Sequence, residues 1–364
     1  MKSILIKLLL IFLMGVFLFY LFYSPSLKFD VLENPAKEKI SNEDIKPSSK
    51  NTVKRPKLSK GLGVYIGKNI DQFTDKYGYP KRIYDSNFNY KNFVYEFKNQ
   101  YYILGVSNKK IVMAYATGKH AKSYPFKIGQ SADNIFNGNA IVSEPIIKTN
   151  QAEYQFQLTE VDIKTQTLIQ YDDIFVQVYI DRISNKVMAM RYIAPDTLVQ
   201  MQPYAMSSKG KTIEKTANKE IHTKDEVAIN SNKVLTMFEI TNYMRSINGR
   251  QPLETNELIN HVAQFQVASL NKEKQKKVKQ VEDEIGSELN KLDIKYLHLS
   301  QNIAFNFDDV PSLINSWLNS DEHRENMLYR NINEMGGGIS GSYYSLIFIN
   351  NEKRVTHIDL EVEL

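Results

Sequence analysis

His323 is the residue best placed to do chemistry, because it stands inside the polar run SWLNSDEHRENM, Ser316 to Met327, between Glu322 and Arg324. An imidazole can act near neutral pH as a general acid or base or as a metal ligand, which makes His323 the candidate catalytic residue. A catalytic zinc ion takes about three protein donors and keeps one position open. The chain has no cysteine, so thiolate sites and disulfide frameworks are excluded. His298 is the best second ligand, since a loop could fold it toward His323. His120, His222 and His357 stand in no motif. Two glycine-rich signals are weak. Gly336-Gly337-Gly338 lacks the Lys and Ser or Thr of a phosphate loop and reads as close backbone packing. Ser340 lies between glycines without the spacing of a nucleophile elbow.

These residues need helices and strands to hold them. From Ser231 a helical period runs through Val234, Phe238, Ile240 and Met244, and a second helix carries Leu258, Val262, Phe265 and Ser269 on one stripe. Met335 to Asn350, MGGGISGSYYSLIFIN, reads as a glycine-led strand pair.

Trp317, His323 and Arg324 are spaced as in the last helices of the CAP superfamily (cysteine-rich secretory, antigen 5 and pathogenesis-related-1 proteins). Residues 230–364 resemble that domain, called CAP or SCP-like. ITNYMRSINGRQPLETNELINHVAQFQVASL is similar to its opening helices, and SQNIA, Ser300 to Ala304, to its GENIA segment. The resemblance implies a three-layer αβα sandwich with a polar cleft formed by Gln266, Gln301, Asn302, Glu322, His323 and Arg324. Gln266 takes the place of a family histidine and Gln301 that of a family glutamate. Glutamine is a poor zinc ligand and cannot serve as a general base, because its amide does not titrate near neutral pH. No metal and no other cofactor is therefore expected, with His298 and His323 the only weak candidate ligands. His261 lies about 140° around a helix from Gln266 and should face elsewhere.

Residues 61–200 repeat themselves. GVYIGKNIDQF opens one copy, about 61–120, and FKIGQSADNIF opens the second, about 125–197; each continues into strands and a turn at Asn-Lys. The order resembles the CAP-associated N-terminal domain that precedes CAP domains in some Firmicutes, staphylococci among them. Tyr84, Tyr90, Tyr95, Tyr101 and Tyr102 read either as core and cross-strand packing or as a glycan-stacking platform. Residues 201–229, rich in Ser, Lys, Thr and Glu, read as an interdomain linker.

Leu8 to Tyr23 is an apolar run with Lys2 and Lys7 on its amino side. Counted back past Lys7 to Ile4 it comes to about 20 residues, enough to cross a bilayer as a helix. With positive charge kept inside, residues 1–23 read as a signal anchor, a single transmembrane helix that leaves the C-terminal domains outside the cell membrane. Residues 24–60, with Pro25, Pro35, Pro47 and Pro56, read as a disordered stalk. The formal charge is +5, and its surplus sits in the first 60 residues, leaving the body near neutral; nucleic acid is excluded as a partner. The expected protein is an α+β, membrane-anchored binding or scaffold protein of the cell envelope. Its partner would be an envelope protein or wall glycan. The alternative is a divergent CAP-type hydrolase, metal-dependent or protease-like, at the cell surface.

Overall fold

The computed structural model describes Met14 and residues 31–35, 55–139, 141–208, 211–213, 226–273 and 278–351. Apart from Met14, the expected anchor lies outside the described residues, and among these no helix is long and apolar enough to cross a membrane.

The first strand, β1 (Leu32–Glu33), is followed by α1 (Asp71–Tyr77), β2 (Arg82–Asp85), β3 (Lys91–Phe97), β4 (Gln100–Ser107) and β5 (Lys110–Thr117). Next come α2 (Asp133–Phe136), β6 (Ile146–Lys148), β7 (Glu153–Gln157), α3 (Glu160–Thr165), β8 (Gln166–Tyr171), β9 (Ile174–Asp181), β10 (Lys186–Ile193) and α4 (Pro195–Met201). Seven of these strands form one sheet in the order β2-β3-β4-β5-β10-β9-β8, so two antiparallel meanders meet at β5 and β10. The two halves repeat the same backbone bonds. Gly67 N–H donates to Ile111 and Ile70 N–H to Lys109, at 2.7 and 2.9 Å; Gly129 N–H donates to Val187 and Ala132 N–H to Asn185, at the same distances. Gly67 and Gly129 both need positive φ, 83° and 84°, which explains glycine after isoleucine in each copy.

One face of this sheet packs on α1 and α2 around Phe73, Tyr95, Tyr102 and Ile135. The five tyrosines named above are all buried, at 8% exposure or less, so they are packing groups and no platform. The other face does not end in solvent. Tyr101, Tyr115 and Tyr179 share one apolar cluster with Met237, Phe238, Leu313 and Trp317 of the C-terminal region.

That region comprises α5 (Glu226–Ile247), β13 (Glu254–Thr255), α6 (Glu257–Glu273), α7 (Val278–Lys291), β14 (Tyr296–Phe305), α8 (Val310–Leu318), α9 (Asp321–Leu328), β15 (Glu334–Ser340) and β16 (Tyr343–Asn351). Its sheet has the order β1-β14-β16-β15-β13. Side chains alternate across a strand. Leu346 and Phe348 accordingly pack with α5, α8 and α9, whereas Ile347 and Ile349 pack with α6 and α7. The glycine run lets helices approach on both faces: a Cβ on Gly336 would stand 2.5 Å from Ile259 Cβ of α6, and one on Gly337 3.1 Å from the Phe238 ring of α5.

Two expectations need correction. The stretch 24–60 is not wholly a stalk. Leu32 and Glu33 pair in parallel with Ala304 and Phe305 at the edge of the C-terminal sheet, Asn34 Nδ2 donates to Asn306 O at 3.0 Å, and Leu58 is buried in the N-terminal core. The stretch 201–229 is not wholly a linker either. β11 (Ala205–Ser208) and β12 (Lys211–Ile213) join β7 and β6 in a four-stranded sheet. Backbone pairing to strands distant in sequence organises both segments, which is why their polar composition concealed it.

Candidate cleft and the joint between domains

Gln266 on α6 and Gln301 on β14 are brought together, and both are buried. Gln266 Nε2 donates to Gln301 Oε1 at 3.1 Å, and Gln301 Nε2 donates back to Gln266 Oε1. Ser345 of β16 closes the group: it accepts from Gln301 Nε2 at 2.8 Å and donates to Gln266 Oε1 at 3.1 Å. Ser345 was not expected. Its signal was available as the one serine in the apolar run Tyr344–Ile349, where alternation points it toward Gln301.

Asn302 follows Gln301 in β14, so its side chain leaves the opposite face. There its Nδ2 donates to the His323 carbonyl at 2.9 Å, and Asn326 Nδ2 donates to Gln301 O and Asn302 Oδ1 at 3.0 and 3.2 Å. His323 is buried, stacks on Trp317 at 6.5 Å between ring centroids, and meets Ser320 Oγ through Nδ1 at 2.9 Å.

Asn302 and His323 thus lie across the sheet from the amide group, not in one cleft with it, and Arg324 and Glu322 join neither, a further correction. Arg324 Nη1 pairs with the fully buried Asp181 of β9 at 2.8 Å, across the domain boundary, and Glu322 is exposed. A helix turns about 100° per residue, so side chains next to one another on α9 cannot share a direction. The same motif supplies further bolts to the β9–β10 turn: Arg182 Nη2 pairs with Asp321 at 2.5 Å, and Asn319 Nδ2 donates to Ile180 O at 2.9 Å.

His298 is also elsewhere. Its ring stacks on Tyr329 at 4.3 Å, its Nε2 is buried without a hydrogen-bond partner among the described residues, and burial lowers its pKa despite the nearby Glu325. Ser300 Oγ, two residues along the strand, is likewise buried and unpartnered among the described residues, so the two form no Ser–His dyad. No group of three His, Cys, Asp or Glu among the described residues is arranged to hold a metal ion. The two amides and the hydroxyl are already bonded to one another, a donor set that does not fit a divalent cation.

The charged groups lie at the domain joint. Arg82 holds Glu239 with both forks, Nη1 to Oε1 and Nη2 to Oε2 at 2.6 Å each, while Tyr101 donates to Oε2 at 2.8 Å. Burial would raise the Glu239 carboxyl, but Arg82 keeps it below the usual carboxylate range. Arg191 pairs with Asp309 at 2.5 Å, and Asp309 also caps α8 by accepting from Ser312 N at 2.9 Å. Beside them a cavity of about 20 Å³, room for roughly one water, is lined by Asn87, Arg191, Lys233 and Asp309. Burial pulls the Lys233 ammonium down to about 8, against Asp308 and Asp309, and Nζ donates to Asn87 at 2.8 Å. Away from the joint, within the C-terminal region, Arg245 of α5 is pushed down to about 10 by burial and by Arg250, and its Nη1 donates to Met327 O of α9 and to Tyr329 O just beyond it, at 2.8 and 3.0 Å.

Comparison with known proteins decides the family. A cysteine-rich secretory protein of known structure from Staphylococcus aureus is 37% identical and covers 90% of this chain and all of its own, with a TM-score of 0.75. The chain belongs to the cysteine-rich secretory protein (CAP) family. The family's sequence pattern matches residues 238–349, and that of the CAP-associated N-terminal family matches 66–204. The uncharacterized membrane protein YlbC of Bacillus subtilis is 29% identical over 320 residues, 87% of this chain and 90% of that protein. An extracellular SCP-domain protein from Bacillus anthracis shares the fold at a TM-score of 0.71 and 24% identity, covering 84% of this chain and all of its own. In this CAP domain Gln266 and Gln301 form a closed group with Ser345, and the motif Ser316–Met327 supplies Asn319, Asp321 and Arg324 to the domain joint.

Proposed function

We propose that this CAP protein is a membrane-anchored, extracytoplasmic binding or scaffold protein of the cell envelope, with a metal-free, non-catalytic cleft. The observation that carries the reading is the closed, buried set Gln266, Gln301 and Ser345, which keeps hydrogen bonding but holds no titratable group. The apolar run Leu8–Tyr23 behind Lys2 and Lys7 supports attachment to the membrane, as do the membrane protein and the extracellular protein it resembles. The full chain should purify without stoichiometric zinc, and added zinc should shift its melting temperature little, since tight binding to the native state would stabilise by several kcal/mol. Gln266→His with Gln301→Glu should raise zinc affinity. On a column, the wild type should retain envelope material while hydrolysing none of it. Stoichiometric metal in the wild type, lost with His298→Ala, would overturn the reading.

One observation favours a hydrolase: the contact of Ser320 Oγ with His323 Nδ1 at 2.9 Å. Any turnover of envelope material that disappears with both Ser320→Ala and His323→Ala would move that reading ahead.

A further inference from the structure

A wide opening lies between the domains. It encloses about 710 Å³ and is walled on one side by the N-terminal sheet and the turn after β5, on the other by α5 and the loop that follows it. Openings of this size at domain boundaries suit small or oligomeric ligands. Its walls are tied together by the Arg82–Glu239 pair and by Tyr243, whose hydroxyl reaches Gln100 O at 3.2 Å and so fixes the ring.

The charge at this opening is unbalanced. Glu96 and Glu239 both line it, but Lys81 pairs with the first at 2.5 Å and Arg82 with the second at 2.6 Å, so these four groups cancel. Lys119 and Arg250 are left over; both line the opening, and neither has an ion pair among the described residues. Arg250 uses Nε on Leu328 O at 2.8 Å, which holds the guanidinium in place while its remaining N–H groups stay available.

The neutral lining narrows the choice. The side chains of Asn99 and Gln251 offer amide donors and acceptors, while Tyr243, Pro252 and the half-exposed Leu235 offer apolar surface. A fixed aromatic ring, amides and a cation pair match a sugar ring bearing acetamido groups and a carboxylate. An extended peptide would be read by main-chain pairing along a free strand edge. The long wall here is α5, whose backbone groups are spent within the helix.

Resting on the envelope-binding reading above, we propose that this interdomain groove, and not the amide-filled CAP cleft, is the binding site, and that its ligand is an acidic amino-sugar glycan. The full chain in detergent would be titrated calorimetrically with three probes: a tetrasaccharide alternating N-acetylglucosamine and N-acetylmuramic acid, neutral chitotetraose, and tetra-glutamate. The acidic tetrasaccharide should bind at least tenfold more tightly than either of the others. Lys119→Glu, at an exposed position, should weaken it at least tenfold without changing the melting temperature, and Arg250→Glu should act in the same direction. Failure of the wild type to bind the acidic tetrasaccharide, or equal binding of tetra-glutamate, would overturn the assignment. If Lys119→Glu binds normally and still retains envelope material, the groove is wrong while envelope binding stands.

Discussion

The polar groups buried between α6 and β14 are two amides and a hydroxyl, whereas those between the domains are wholly or partly buried ion pairs, Arg82 with Glu239, Arg191 with Asp309 and Arg324 with Asp181. The first region stands where the family resemblance leads one to look for proton transfer or a metal. The second stands where a simple linker was expected. Charge has a use in each place only if it is matched, because an unmatched buried ion is costly. At the joint every carboxylate named has its cation and the pairs lock orientation. Beside Gln266 and Gln301 a charge would have no such partner. Paired ionisable groups in this chain hold two domains in one arrangement.

The largest test of that contrast is to break a pair at the joint. Glu239→Ala leaves the partly buried Arg82 guanidinium unpaired and should cost about 3–4 kcal/mol in urea unfolding, the lower part of the range for a buried pair. Because Tyr101 and Phe238 belong to one apolar cluster, both domains should unfold in a single transition. Two separate transitions in the wild type would show that the joint is incidental.

Charging the neutral region should cost somewhat less. Gln266→Glu places a carboxyl where burial raises its pKa, so the unfolded state loses its proton first and stability falls as pH rises between the two pKa values. The variant should come within about 1 kcal/mol of wild type at pH 4 and lose on the order of 3 kcal/mol by pH 7. A flat difference across that range would mean that the carboxylate finds solvent or a cation.

Lys233 tests the joint through pH. Its folded pKa of about 8 lies below the unfolded value near 10.5, so the unfolded chain binds more protons between them and stability rises with pH. Lys233→Met should remove that rise. Its melting temperature should exceed wild type at pH 7, by the equivalent of about 2–3 kcal/mol, and the gap should close toward pH 10. A gap that stays constant with pH would show that packing, and no proton, is responsible. The smallest effect belongs to the edge strand: Asn34→Ala removes the bond to Asn306 O and should cost about 1 kcal/mol in urea unfolding, while no measurable cost would mean that β1 adds little to the sheet.

What could be read from the sequence divides along the same line. Local signals were sufficient for α5 and α6 and for the repeated Ile-Gly turns, because periodicity and positive-φ glycines are properties of neighbouring residues, whereas α8 and α9 were legible through the family resemblance. The meeting of Gln266 with Gln301 was legible only through resemblance to a family, since no spacing rule joins a helix to a strand 35 residues on. Arg324 was assigned to the cleft because its motif was read as one unit. Its partner, Asp181, belongs to another domain, and nothing in Ser316–Met327 points there. Composition failed for residues 31–35 and 205–213, where polar side chains hide backbones engaged in sheets.

The Asn34–Asn306 bond spans 272 positions. A ribosome releases β1 long before β14, its one strand neighbour among the described residues. Doubling a loop adds only about 0.6 kcal/mol to its closure, so the distance is a matter of timing more than of energy. Until β1 arrives, Ala304 and Phe305 present an unpaired sheet margin of the sort that recruits stray strands. A chaperone or neighbouring chain able to hold that margin would act on the final stage of maturation, and a product trimmed at its amino end would carry the vacancy for its whole lifetime.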